Sequence, residues 1–183
     1  MKSESVAITP VLQAAIDGQS VILRVHGRAS FAVAPALKQF GAAMMDQGRY
    51  CFVIDMRECV NMDSTFMGIL AGLAMRLKRE GGRMAMINLS AASDEALMTL
   101  GLNKMITCYR DGAAPEGGEE TCPGVMKGLD LSRGAPDSTR DVMIEAHAEL
   151  SGLSEGNAAK FKDVLILLRD EARQTNGRSR GGA

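Results

Sequence analysis

Apolar and polar positions alternate with period two in "SVILRVHG", where Val21, Leu23 and Val25 stand against Ile22, Arg24 and His26, closed by Gly27. That pattern predicts a strand. A weaker strand, "VAITPVLQAA", precedes it, and Asp17-Gly18 is the turn signal that pairs the two as a hairpin. The period then lengthens. Val33, Leu37, Phe40 and Met44 recur at spacings of four, three and four, one face of a helix. Pro35 suits its first turn and Gly48 its end. "YCFVIDM" is continuously apolar and reads as a strand covered on both faces. After it, Phe66, Ile69, Leu70, Leu73 and Leu77 mark the inner face of a second helix. Arg76, Lys78 and Arg79 stand near the negative end of its dipole, and Gly81-Gly82 ends it. "RMAMINL" predicts another strand, Ser90 a cap for a third helix with Leu97 and Leu100 inward, and Gly101 its stop. "KMITCYR" predicts a short last strand. Strands alternating with helices make an α/β layer with parallel pairs and right-handed crossovers.

The texture changes between Asp111 and Asp137. Three of the five prolines and six of the twenty glycines fall there, so residues 111–136 read as a linker. Two amphipathic helices follow over residues 137–175. Asp137 or Ser138 can cap the first, whose apolar face is Val142, Met143, Ala146 and Leu150. Ser154 can cap the second, whose face is Phe161, Val164, Leu165 and Leu168. They predict a helical hairpin, either a buttress packing Phe161 and Leu165 on the sheet or a helix, or a dimerisation or regulatory arm. Residues 176–183 read as a disordered tail.

Charge changes this picture only a little. Residues 1–110 carry 12 basic and 9 acidic side chains and residues 111–183 carry 9 and 13, so a mildly basic front meets a mildly acidic back within a net charge of -1. This would let the two parts dock or let the tail stay solvated, and charge alone does not choose between them; nothing draws the chain to nucleic acid or to an anionic membrane. With 4% aromatics and no Trp there is no stacking platform for single-stranded nucleic acid. Cys51, Cys59, Cys108 and Cys122 form no C-x-x-C pair, and His26 and His147 lie far apart, so neither a metal site nor a disulfide framework is expected. "MKSESVAITP" lacks the apolar core of a signal peptide and no run is long enough to span a bilayer, which makes the cytoplasm the expected location.

The candidate chemistry lies in "NMDSTFMGIL", residues 61–70. There an acid and two hydroxyls precede the second helix. The residues of dinucleotide and phosphate-loop sites are missing, and hydrolase chemistry is not expected either, so no catalytic residue and no cofactor are assigned. His26 reads as structural or solvent-exposed and His147 as a surface residue. Asp63, Ser64 and Thr65 have a plain role open to them as helix caps.

The order of these parts carries more. An apolar strand, Asp55-Met56, then Met62-Asp63-Ser64-Thr65-Phe66-Met67-Gly68, an amphipathic helix, Gly-Gly and a strand resemble the STAS domain of bacterial anti-sigma factor antagonists. "GLNKMITCYRD" is similar to that family's closing segment, and the likeness spans about residues 6–110. It implies an α/β fold with a mixed β-sheet and helices packed on it. It also implies a non-enzymatic signalling protein of transcription regulation that binds an anti-sigma factor kinase and is switched by phosphorylation, with Ser64 as phosphoacceptor. Asp63, Thr65, Phe66, Met67, Ser30 and Ser90 are the residues expected to meet that partner. The family's usual glycine after the hydroxyl pair is Phe66 here, a ring that either enters the core or anchors a partner. A non-switching STAS scaffold, such as an accessory subunit of a membrane transporter or signalling assembly, is the alternative, and a homodimer through the C-terminal hairpin stays open.

Overall fold

The computed structural model describes residues 11–110, 126–129, 131 and 136–180, with side chains over 139–174 of the last stretch. Six strands form one sheet in the order β5-β4-β3-β2-β1-β6. They are β1 (Val11–Asp17), β2 (Ser20–Ala29), β3 (Cys51–Met62), β4 (Arg83–Leu89), β5 (Thr107–Arg110) and β6 (Lys127–Gly128). The helices are α1 (Ala34–Asp46), α2 (Ser64–Arg79), α3 (Ala91–Thr99), α4 (Pro136–Gly152) and α5 (Glu155–Arg180). β1 and β2 pair antiparallel across the Asp17–Ser20 turn, where Gly18 takes a φ of 55°. β2, β3, β4 and β5 run parallel, each step crossing through a helix. The mixed α/β sheet is thus the one that the alternating periods predict.

Side-chain alternation decides which face is filled. Val21, Leu23 and Val25 of β2 and Phe52, Ile54 and Met56 of β3 enter one large core with Leu37 of α1 and Leu70 of α2. On the other face Ile22, Val53 and Ile87 form a small cluster joined by Tyr109 and Met126. Burial reaches nearly all round the first three turns of α2. Thr65 to Ala71 are all buried, because the sheet lies on one side of this helix and α4 on the other. A helix that is apolar or small on every side needs two such neighbours.

Several boundaries differ from the expectation. β2 continues through Gly27, whose φ of 73° accompanies an irregularity in pairing, as far as Ala29. β3 runs on to Met62. Within the stretch expected as linker, Lys127–Gly128 adds a sixth strand against Gln13 and Ala14 of β1. Helix α5 continues to Arg180, where a disordered tail was expected. Residues 1–10, most of the linker with Cys122, the side chains of the expected α4 caps Asp137 and Ser138, and residues 181–183 lie outside the described residues.

Candidate functional site

Parallel pairing carries the ends of β2, β3 and β4 to one end of the sheet. Ser30 follows β2, Asp63 and Ser64 follow β3, and Ser90 follows β4. The topology therefore gathers the predicted polar residues on one side.

Asp63, not Ser64, is the N-cap of α2. Its Oδ1 accepts from the Phe66 N–H at 2.9 Å, and its Oδ2 accepts from the Phe31 N–H at 2.9 Å. One carboxylate thus ends the helix and ties it to the loop between β2 and α1. Ser30 closes that loop from within, its carbonyl accepting from the N–H groups of Val33 and Ala34. Ser90 is exposed and caps α3, accepting from the Ser93 N–H. Thr65, Phe66 and Met67 are buried; Phe66 has no exposed surface at all and belongs to the core. Of the two places open to its ring, the interior is the one it takes.

Ser64 is the first residue of α2 and is half-buried. Its Oγ lies 2.9 Å from Nε2 of His147 on α4. The other ring nitrogen, Nδ1, lies 2.7 Å from the Met143 carbonyl oxygen, which can only accept. Nδ1 therefore carries the hydrogen, and in the neutral ring Nε2 accepts from the Ser64 hydroxyl. His147 is 4% exposed and packs edge-on against Phe161 of α5, with ring centroids 5.4 Å apart. This corrects the expectation that His147 is a surface residue. Its burial comes from the docking of the hairpin on α2, a contact between parts far apart in the chain.

The docking surface of α2 is made by two glycines one turn apart. A Cβ on Gly68 would lie 2.2 Å from the Ala146 carbonyl oxygen, so α4 rests directly on bare backbone there. At Gly72 the neighbour is the flexible Glu149 side chain at 3.5 Å, an ordinary contact. Lys38 of α1 forms an ion pair with Glu145 of α4, and both line a cleft of about 230 Å³ with Arg76, Arg79 and Glu149. Asn157 of α5 donates from Nδ2 to the carbonyls of Leu100 and Leu150, which binds the hairpin to the end of α3. The Gly68-x-x-x-Gly72 spacing was the sequence signal for this helix contact; nothing local singled out His147.

The hairpin turn holds Gly152-Leu153-Ser154-Glu155-Gly156, which spells the G-x-S-x-G pattern of a nucleophile elbow. That elbow needs a strand before the serine and a helix after it. Here helices lie on both sides, and the Ser154 hydroxyl caps α5 by accepting from the Asn157 N–H at 3.1 Å. Among the described residues no group of three His, Cys, Asp or Glu side chains could hold a metal ion, and no helix is long and apolar enough to cross a membrane.

Two thiols near the strand ends are held protonated. Burial pushes the Cys59 pKa up, against backbone hydrogen bonds at Ala29 and Asn61 that lower it. Burial, helped by the charge of Asp94, pushes Cys108 from 9.0 to about 11. The thiolate is the reacting form, so alkylation of Cys108 by iodoacetamide at pH 8 is expected to run about 100-fold slower than that of an unperturbed thiol. Site-resolved mass spectrometry checks this, and a rate equal to that of the urea-unfolded chain would contradict it.

Residues 12–107, more than half of the chain, match the family model described as Mlab, STAS domain. No curated protein matches the chain. Among solved structures, an anti-sigma factor antagonist assigned in Thermotoga maritima is similar at a TM-score of 0.50 and 16% identity, over 54% of this chain and 85% of that one. An anti-sigma factor antagonist from Mycobacterium paratuberculosis is similar at 24% identity and a TM-score of 0.48, over 59% and 90%. The phosphorylated form of the Bacillus cell fate determinant SpoIIAA is similar at 18% identity and 0.47, over 55% and 92%. At 16% identity the likeness to the Thermotoga structure speaks to the fold alone. The helical hairpin lies outside the matched residues, and β1 to β4 with the first three helices carry the match: the chain belongs to the STAS domain family.

Proposed function

We propose that the protein is an anti-sigma factor antagonist that binds an anti-sigma factor kinase and is switched by phosphorylation of Ser64. The observation that carries this reading is the position of Ser64 as the first residue of α2, directly after the Asp63 cap and at the end of the sheet where Ser30 and Ser90 also lie. First-turn N–H groups and the positive end of the dipole favour an added anion. The kinase would transfer the γ-phosphoryl group of ATP to Oγ, with loss of the hydroxyl proton and release of ADP. The product carries about -1.5 to -2 charges next to Asp63, enough to repel an acidic partner surface.

The test uses the full chain as bait in native lysate depleted of ATP for the capture, and adds ATP in a separate step for the phosphorylation. Wild type and Ser64→Ala are expected to retain a protein kinase, and Ser64→Asp to lose it. Phosphopeptide mapping should place the phosphate on Ser64 of wild type. Equal capture by all three chains, with no phosphate on Ser64, would sink the switch. That outcome would favour the second reading, a non-switching STAS scaffold, to which the burial of Thr65, Phe66 and Met67 lends support.

A further inference from the structure

We infer that the α4–α5 hairpin is the resident occupant of the face at the start of α2, a built-in cover that must leave before a partner or a phosphoryl group reaches Ser64. The inference rests on the switch reading above and adds its regulation. Three observations meet at this point. First, α4 sits on the face itself: Ala146 lies on the bare backbone of Gly68, four residues beyond Ser64. Second, the hydroxyl that would be modified is already engaged, 2.9 Å from a ring that is 4% exposed. A phosphoryl group on Oγ in this rotamer would displace His147 from its 2.9 Å contact, and the ring is braced edge-on by Phe161. With Ser64 held in that rotamer, docking of the hairpin and phosphorylation of Ser64 exclude each other. Third, the cover is charge-matched at its edge, with Glu145 on Lys38 and Glu149 in the same cleft as Arg76 and Arg79.

Reciprocity follows from mutual exclusion. Opening of the hairpin exposes Ser64 to modification, and at equilibrium modification favours the open hairpin by the same factor as opening favours the modified serine. A partner helix competes with α4 for the Gly68–Gly72 strip, and an acidic one inherits the contact to Lys38 in the cleft that Arg76 and Arg79 also line. His147 is a positioning residue here: it holds the serine in the closed form.

The experiment needs no kinase. A thiol is placed at the position by Ser64→Cys in the full chain and labelled with iodoacetamide, read by site-resolved mass spectrometry. Gly68→Ala adds a methyl group where the Ala146 carbonyl lies at 2.2 Å and so wedges α4 off, whereas Gly72→Ala meets only the Glu149 side chain at 3.5 Å. The Ser64→Cys/Gly68→Ala chain is expected to label at least about tenfold faster than Ser64→Cys alone, and Ser64→Cys/Gly72→Ala to match the latter. Hydrogen exchange of β2 and β3 confirms that the sheet stays folded. Should Gly68→Ala unfold the chain, Ser64→Cys/His147→Ala takes its place with the same expected acceleration. Equal rates with and without the wedge, or a single-variant rate already equal to that in urea, would overturn the cover. The switch is tested separately by lysate capture, so failure of one leaves the other distinguishable.

Discussion

Phe66→Ala is expected to destabilise the protein by about 3–5 kcal/mol, read as a lower urea midpoint with an unchanged slope. The ring has no exposed surface and is among the largest fully buried side chains. Removing it loses the transfer free energy of the ring and leaves a cavity between α2 and the sheet. The core cannot close that cavity cheaply, since its other large members, Leu70, Leu23 and Ile54 among them, are themselves fully buried. Two comparisons separate this from other effects at the same loop. Asp63→Ala removes the cap bond to Phe66 N–H and the tie to Phe31 N–H, a loss of about 0.5–2 kcal/mol for the cap. Phe31→Ala, at a ring 50% exposed, is expected to stay near or below 1 kcal/mol. A Phe66→Ala chain as stable as Phe31→Ala would mean that the ring is not a core residue, and would reopen its role as a partner anchor.

What was legible in the chain follows from where burial is one-sided and local. Val21, Leu23 and Val25, and then Phe66, Ile69, Leu70, Leu73 and Leu77, announce their elements because one face of each meets the large core. The outer half of β3 does not, because β4 stops pairing with it at Asp55. From Glu58 to Met62 it pairs, among the described residues, only with β2, with Val60 62% exposed, so no apolar period marks it. The last residues of α5, 174–180, include no apolar side chain and leave no period either. β6 is two residues long and is held by its register on β1. Asp63 and Ser64 were readable at the start of α2 because caps are local. His147 was not, since its neighbours Ser64 and Phe161 come from α2 and α5. The second burying side of α2 left one trace, the Gly68–Gly72 pair, on the face opposite the leucines.

Phe161→Ala should undock the hairpin without unfolding the sheet. Phe161 is 5% exposed, braces His147 edge-on, and follows by one turn the Asn157 amide that bonds to Leu100 and Leu150. Truncating a buried ring costs about 3–5 kcal/mol, and here the loss falls on one interface. The polar ties at that interface are weaker, the exposed Lys38–Glu145 pair at most about 1 kcal/mol and a hydrogen bond such as Ser64–His147 about the same, which leaves the smaller apolar side chains Val142, Ala146 and Leu150 of α4 to hold it. A local interface deprived of its largest side chain opens by itself before the whole molecule does. Hydrogen exchange is expected to lose protection over residues 139–174 while the β2 and β3 amides keep theirs. The thiol of Ser64→Cys in the same background should then react as fast as with the Gly68→Ala wedge, because both changes remove the same cover by different routes. Loss of protection that is uniform across sheet and hairpin would make them one cooperative unit. An element that cannot open alone cannot gate Ser64, so that result would count against the cover as directly as an unresponsive thiol.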